Sequence, residues 1–333
     1  MNRPVKPQSR SFRTELGDGI FSKKSALWKE IFKIATVVSV LLFTGELFAY
    51  GGDINFKEAK LYINRKLDEA IVETDPFPHI IVRDILPPGL YQKILEHWPD
   101  SSIFTPSSSP KRRHLYVIKG CAEAHKQLSS SEAVFWRSFG EIVVKYIKNK
   151  VIERLTPFLC YKFPNATESE LESIRQNMRF FDSRREGLMI DFSGYSIGMH
   201  VDQAYLLAGM LIYCPEDDRH MNFGTAFYKA INGETSIDVG TAPSWLTVDS
   251  FRLAKKAPYA PNTLVVFMQN PKGWHGVEAL NDPSYVRRTY LCPICLDPDF
   301  AEELYKDCGF NLNIFENLYK LETHLLVPGS IGF

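Results

Sequence analysis

The sequence predicts an α+β chain with a mostly β core, buttressed by helices on its N-terminal side, and three observations predict it. Apolar residues recur at helical spacing in the first half, starting at Phe56. Short apolar runs bounded by Gly, Pro and Asn mark the second half, as in Met189–His200, Thr263–Met268 and Tyr290–Ile294. The 333 residues are 45% hydrophobic and 13% aromatic, enough for a large core and for one big domain or two smaller ones.

Along the chain, residues 1–33 carry eight Lys or Arg against three acids, with Pro4, Pro7 and several serines, and read as a disordered tail. Residues 34–50 are apolar except for their threonines, Ser39, Gly45 and Glu46. The run falls short of the ~20 residues of a membrane span, and Glu46 would be costly inside one. A helix packed on the rest of the chain is therefore expected, in a cytoplasmic protein. Membrane association through residues 34–50 is the alternative, and the preceding basic residues would then hold the N-terminus in the cytoplasm. This divides the chain into a tail plus hydrophobic segment, residues 1–52, and a main domain, residues 53–333, with its core strands in about residues 174–296.

The main domain opens with a helical pattern from Phe56 to Val72, through Ala59, Leu61, Ile63, Leu67 and Ile71. Pro87 and Pro88 suit the first turn of a helix over Leu90–His97. Residues 104–114 read as a mobile loop. A helical stretch is expected over Ser131–Leu159, broken near Thr156-Pro157, and the string Thr167–Glu172 reads as a capped helix start, with early glutamates at the positive end of the dipole. Beyond it, Gly194 and Gly198 split Met189–His200 into a strand, a turn and a second strand. The turn pair Pro261-Asn262 introduces the strand Thr263–Met268, and Tyr290–Ile294 is the last apolar strand.

Six cysteines, at 121, 160, 214, 292, 295 and 308, are scattered rather than arrayed as a disulfide framework, and a reducing compartment is the simpler inference. Cys292-Pro-Ile-Cys295 lies within the last strand, where residues three apart face opposite sides, so the pair reads as structural. The 39 basic and 39 acidic residues balance to a formal net charge of zero, which argues against a nucleic-acid groove. The runs at Lys111–Arg113 and Arg184-Arg185 read as solvated surface or loop.

The chemistry concentrates in Gly198-Met-His200-Val-Asp202 and Trp274-His275-Gly276. Two imidazoles and one carboxylate are the ligand set of a facial triad, which holds Fe(II) on one face and leaves three positions open. Residues two apart on a strand point to the same side, so His200 and Asp202 can bind one ion together. An HxD tripeptide alone arises by chance, and a lone buried histidine is usually a satisfied core residue. Arg287-Arg288-Thr289 adds weight, because a guanidinium fork takes a carboxylate in bidentate fashion.

In order and spacing these residues resemble the Fe(II)/2-oxoglutarate-dependent oxygenases, in particular the prolyl-4-hydroxylase-like branch. Pro76–Pro88, Gly194–Asp202, Ala208–Pro215 and Phe223–Tyr228 resemble further stretches of that branch, so the likeness spans roughly residues 74–296. It implies a double-stranded β-helix, a squashed barrel with the metal at its mouth. It also implies His200, Asp202 and His275 as ligands of Fe(II), and Arg287 as the partner of the distal carboxylate of 2-oxoglutarate. Arg287 is preferred to Arg288 because Thr289 would share its strand face. Tyr195 is a further residue for a hydrogen bond to the co-substrate, with a core tyrosine as the other reading. Halogenating relatives replace the carboxylate ligand by a small residue, and Asp202 is present, so hydroxylation is implied. The reaction would use O2 and 2-oxoglutarate to hydroxylate a C–H bond, releasing succinate and CO2.

The substrate expected is a small molecule or a peptidyl side chain. The aromatics around Trp245, Tyr259 and Trp274 hint at an apolar wall and lean towards the small molecule. The other function class is a barrel that has lost catalysis and serves as a binding module, with or without a membrane tether. The intact ligand set and the intact arginine speak against it.

Overall fold

A computed structural model of the chain describes residues 55–107, 113–117, 128–181, 186–232, 240–241, 248–297, 299–301 and 304. Residues 1–54 lie outside these, and with them the basic tail and the hydrophobic segment 34–50. Among the described residues no helix is long and apolar enough to cross a membrane.

The helices come first, as their apolar spacing requires. Helix α1 (Phe56–Glu69) is capped by the Asn55 side chain, which accepts from the Glu58 amide, and it buries Ala59, Ile63 and Leu67. Helix α2 (Pro88–Glu96) starts on proline and buries Leu90, Tyr91 and Ile94. Helix α3 (Ser130–Ser138) opens with a capping box between Ser129 and Glu132 and runs into a π-helical turn over Phe139–Val144. Helix α4 (Lys145–Leu155) follows, with Ile147, Val151 and Leu155 on its buried face. The break expected near Thr156-Pro157 is a 3-10 turn over Thr156–Phe158, leading to the short α5 (Leu159–Lys162). The Thr167 cap is also present: Thr167 and Glu170 form a capping box at the start of α6 (Glu168–Asn177). The π-helical turn was not expected, and nothing in the apolar spacing marks it.

Fourteen described strands follow or interleave: β1 (His79–Arg83), β2 (Thr105–Pro106), β3 (Arg113–Val117), β4 (Phe180–Phe181), β5 (Gly187–Asp191), β6 (Ile197–Val201), β7 (Leu206–Tyr213), β8 (Ala226–Ala230), β9 (Gly240–Thr241), β10 (Phe251–Lys256), β11 (Thr263–Met268), β12 (His275–Val277), β13 (Arg287–Leu291) and β14 (Ile294–Leu296). The larger sheet runs β1-β11-β7-β13-β5-β3-β2, with β14 and β4 beside this path, and the smaller runs β10-β8-β12-β6-β9. From β5 to β13 the chain crosses between sheets: β5, β7, β11 and β13 lie in the larger, and β6, β8, β10 and β12 in the smaller. Eight antiparallel strands shared in this way form a double-stranded β-helix.

Alternation along the central strands separates two cores. Leu188, Ile190, Met210, Ile212, Leu264, Val266 and Tyr290 face the helices, where they join Ile63, Leu67, Trp136, Phe139 and Val151. Met189, Leu211, Tyr213, Val265 and Phe267 face inward and meet Phe227, Tyr259 and Val277. This is why every residue of β7 and β11 is buried: both of their faces are covered. Each such Leu, Ile or Phe contributes about 1.5–3 kcal/mol by its burial.

Two expectations need correction. The stretch 104–114 is not simply a loop, because Thr105–Pro106 pairs with Arg113–Val117 and β3 then pairs with β5, widening the larger sheet; residues 108–112 lie outside the described ones. Cys292 and Cys295 do not share one strand. Pro293 lacks the amide a ladder needs, so β13 ends at Leu291 and β14 begins at Ile294. Cys214, Cys292 and Cys295 are nonetheless buried thiols, in keeping with a structural role, while Cys121 and Cys308 lie outside the described residues.

His79, at the start of β1, is fully buried against Phe227, with ring centroids 5.0 Å apart. Its Nδ1–H donates to Phe77 O at 2.7 Å, whereas Nε2 has no hydrogen-bond partner and lies 3.8 Å from the Glu73 carboxylate. Burial lowers its pKa below the ordinary 6.5. Below that pH the unfolded chain therefore takes up the proton more readily than the folded one. Stability is expected to be full above about pH 6.5 and to fall as the pH drops below it. Urea denaturation at pH 7.5 and 5.0 checks this, and the part due to His79 should vanish in His79→Phe.

Candidate metal centre and anion pocket

His200 and His275 face each other across the pairing of β6 with β12, in direct register. Their ring centroids are 4.3 Å apart. Asp202 sits one residue beyond the end of β6 rather than on it, yet its carboxylate turns to the same side. Oδ1 lies 3.9 Å from Nε2 of His200, and Oδ2 lies 3.6 Å from Nε2 of His275. One donor atom from each of the three falls within 4.8 Å of the others, close enough to hold one ion. The geometry therefore joins the three residues that the sequence singled out.

The two imidazoles are oriented in the same way. His200 Nδ1–H donates to Gly198 O at 2.8 Å and His275 Nδ1–H donates to Gly273 O at 2.9 Å, in each case to the residue two before. Those bonds select the tautomer and leave both Nε2 lone pairs turned to the Asp202 carboxylate, the arrangement a metal needs. Burial and the neighbouring His200 lower the His275 pKa to about 4, against the opposing pull of Asp202, so this imidazole stays neutral at ordinary pH. His200 and Asp202 are only partly covered, so the site opens on their side.

Behind the donors, the segment after Asp202 is tied down. Gln269 Nε2 donates to Asp202 O at 3.1 Å. Lys162, fully buried at the end of α5, donates to Ala204 O and Leu206 O at 2.8 Å each and to Gln269 Oε1. Burial pushes the Lys162 pKa down to about 7, and the Asp202 carboxylate opposes it. Three oxygen acceptors match the three N–H donors of an ammonium, and on that ground the charge is held in place against burial.

Gly209, on the inward face of β7, makes room for the centre. A Cβ there would lie 2.4 Å from two Phe267 ring atoms and 3.1 Å from Asp202 Oδ2, while the Phe267 ring packs on His275 with centroids 4.3 Å apart. Gly209→Ala is expected to displace that ring and weaken metal binding by about tenfold, in the range of other supporting contacts. A Co(II) titration followed by visible absorption checks this, with the far-UV circular dichroism unchanged.

Two and four residues along the same face stand Leu211 and Tyr213, and Tyr213 leads to the second part of the site. Arg287 opens β13 and is fully buried, its guanidinium 5.2 Å from the Tyr213 ring centroid and 5.3 Å from that of Tyr259. Its Nε donates to Phe223 O at 2.8 Å and its Nη1 to Asp191 Oδ2 at 2.7 Å. Asp191 is also fully buried and takes a fork from Arg113, Nε to Oδ1 at 2.7 Å and Nη2 to Oδ2 at 3.1 Å. The three form a row, since Arg113 and Arg287 are both in register with Asp191 from opposite sides of β5. Burial opposes the charge of Arg287, and Asp191 more than restores it, so its pKa is raised further. Arg288 points the other way, to Glu216 Oε1 at 2.7 Å and over the Trp98 ring.

Beside this row two buried hydroxyls lack a hydrogen-bond partner, Thr289 Oγ1 and Tyr195 Oη. Thr289 shares the inward face with Arg287 and pairs with Tyr213; the Tyr195 ring lies 4.4 Å from the Arg113 guanidinium. A buried hydroxyl without a partner costs roughly 1–3 kcal/mol, so two of them beside a buried guanidinium suit a bound carboxylate. The donor set fits Fe(II) at His200, Asp202 and His275, and the orphaned hydroxyls fit a carboxylate ligand beside Arg287.

Sequence reasoning missed Asp191, Arg113, Lys162, Gln269 and Gly209. Asp191 left one signal, a lone carboxylate ending the apolar strand Leu188-Met-Ile-Asp191, since a buried acid must be paired. Arg113 is corrected from solvated surface or loop to a strand residue, partly buried and paired with Asp191. Tyr259 and Trp274 are core aromatics, and Trp245, Arg184 and Arg185 lie outside the described residues.

No family model and no curated protein matches the chain. Solved structures similar to it include a Pseudomonas putida prolyl-4-hydroxylase, at 11% identity and a TM-score of 0.35, covering 71% of this chain and 98% of that one. A 2OG-Fe(II) oxygenase family oxidoreductase from Burkholderia pseudomallei is 10% identical with a TM-score of 0.35, covering 71% and 89%. HygX from Streptomyces hygroscopicus, solved with nickel and 2-oxoglutarate bound, is 9% identical with a TM-score of 0.37, covering 65% and 82%. The strand order by itself gives the double-stranded β-helix.

Proposed function

We propose that the chain is an Fe(II)- and 2-oxoglutarate-dependent dioxygenase that hydroxylates an unactivated C–H bond of a small-molecule or peptidyl substrate, with release of succinate and CO2. The observation that carries this reading is the triad of His200, Asp202 and His275, with both Nε2 atoms turned to the Asp202 carboxylate by bonds at Nδ1. Iron bound there would supply oxygen activation coupled to decarboxylation of 2-oxoglutarate. Nε2 of His200 and of His275 and the Asp202 carboxylate would hold that ion and leave positions open for the co-substrate and oxygen.

The protein's own residues do the rest. Arg287 takes the distal carboxylate of 2-oxoglutarate, with Thr289 Oγ1 and Tyr195 Oη as further donors whose partners are otherwise missing. The Tyr213 and Tyr259 rings wall the guanidinium from water, which strengthens its hold on an anion. The partly covered side of His200 and Asp202 faces the substrate. Succinate formation from 2-oxoglutarate, measured with purified protein, tests the reading: it should require Fe(II) and oxygen together. Absence of succinate in folded, iron-loaded protein would leave a barrel that only binds.

A further inference from the structure

The row on the inward side of β5 holds two arginines and one aspartate, with Asp191 and Arg287 buried and Arg113 partly so, an arrangement that a single carboxylate-binding arginine does not need. Arg287 would be satisfied by an incoming carboxylate alone. Instead Asp191 already takes one of its donors and couples it to Arg113, a residue of β3, which lies outside the eight strands of the barrel. Counting formal charges, Arg113 and Arg287 contribute two positive and Asp191 one negative. Without Arg113 the row would be neutral, Arg287 balancing Asp191, and an entering carboxylate would leave one negative charge uncompensated. With Arg113 the row keeps one positive charge, which matches one carboxylate. Arg113 also stacks over the ring of Tyr195, whose hydroxyl has no partner.

We infer that Arg113 and Asp191 are positioning residues of the co-substrate pocket: Asp191 fixes the Arg287 guanidinium, and Arg113 supplies the charge that lets this row accept one carboxylate. The inference rests on the 2-oxoglutarate reading above. It assigns Arg113 a role that depends on charge count rather than on strand packing, and the two are separable.

The test is calorimetry on anaerobic, Mn(II)-loaded protein with two probes, 2-oxoglutarate and oxalate. Both chelate the metal, but oxalate has no distal carboxylate to reach the row. Arg113→Gln keeps an N–H donor for Asp191 and drops the charge. It should weaken 2-oxoglutarate about tenfold, the effect of one charge in a partly buried site, and leave oxalate unchanged. Arg113→Lys, which loses the fork to Asp191 but keeps the charge, should hold 2-oxoglutarate within about threefold of wild type, since the inferred role depends on the charge. Arg113→Gln combined with Asp191→Asn restores one positive charge and keeps an amide oxygen at position 191 to accept from Arg287 Nη1, so it should recover 2-oxoglutarate affinity to within about threefold of wild type. Unchanged 2-oxoglutarate binding in Arg113→Gln, or an equal loss of both probes, overturns the inference. If that variant does not fold, the double variant decides: loss of 2-oxoglutarate binding there with oxalate intact overturns it equally. Wild-type protein that binds oxalate but not 2-oxoglutarate would instead overturn the co-substrate reading itself.

Discussion

Asp202→Ala should lower succinate formation by on the order of 10³-fold while leaving the fold intact, because it removes a proposed metal ligand without opening the core. Asp202 is partly exposed and lies beyond the end of β6, so its side chain carries little packing. What it supplies is charge. Nε2 of both histidines lies within 4 Å of its carboxylate, and without it two imidazoles alone would hold a divalent ion weakly. Circular dichroism, metal content after dialysis and succinate formation measured on one preparation separate the effects. Wild-type turnover in that variant would remove the metal assignment.

The second large effect is expected at Arg287. Arg287→Met keeps the length of the side chain and its contacts with Tyr213 and Tyr259, but leaves Phe223 O and one side of Asp191 without a donor. Breaking a buried charged contact costs about 3 kcal/mol or more, and Arg113 limits the damage here by keeping Asp191 paired. Affinity for 2-oxoglutarate should fall by on the order of 100-fold, as for loss of a desolvated charge pair, with oxalate affected far less. Arg288→Met serves as the control, since Arg288 faces Glu216 and Trp98 on the outside. It should bind 2-oxoglutarate like wild type, and a result with the two exchanged would reverse the assignment of the inward arginine.

How much of this was legible in the sequence depends on how local the signal is. His200 and Asp202 are two residues apart, so their common direction follows from the chain alone. The strand Thr263–Met268 was found with its observed bounds, because Pro261-Asn262 marks its start and Asn262 adopts a positive φ of 54° there. Arg287 and Thr289 were placed on one face by alternation, and the structure puts both inside the barrel. The partners that meet only through sheet register were not legible. Asp191 reaches Arg113 and Arg287 through two strand pairings whose offsets no short-range pattern encodes, and Arg113 alone reads as one more charge in a basic run. Lys162 is similar: a lysine on a short helix gives no sign that its ammonium ends among carbonyls behind Asp202. Glycine carried a hidden signal as well, since the need for Gly209 is visible only once Phe267 and Asp202 are brought against it.

The most direct measurement is the visible absorption of anaerobic protein titrated with Fe(II) and then with 2-oxoglutarate. Chelation of the co-substrate at the His200, Asp202 and His275 centre should give a metal-to-ligand charge-transfer band that is lost in His200→Ala and weakened in Arg287→Met. A folded, iron-loaded wild-type protein that shows no such band would contradict the oxygenase reading.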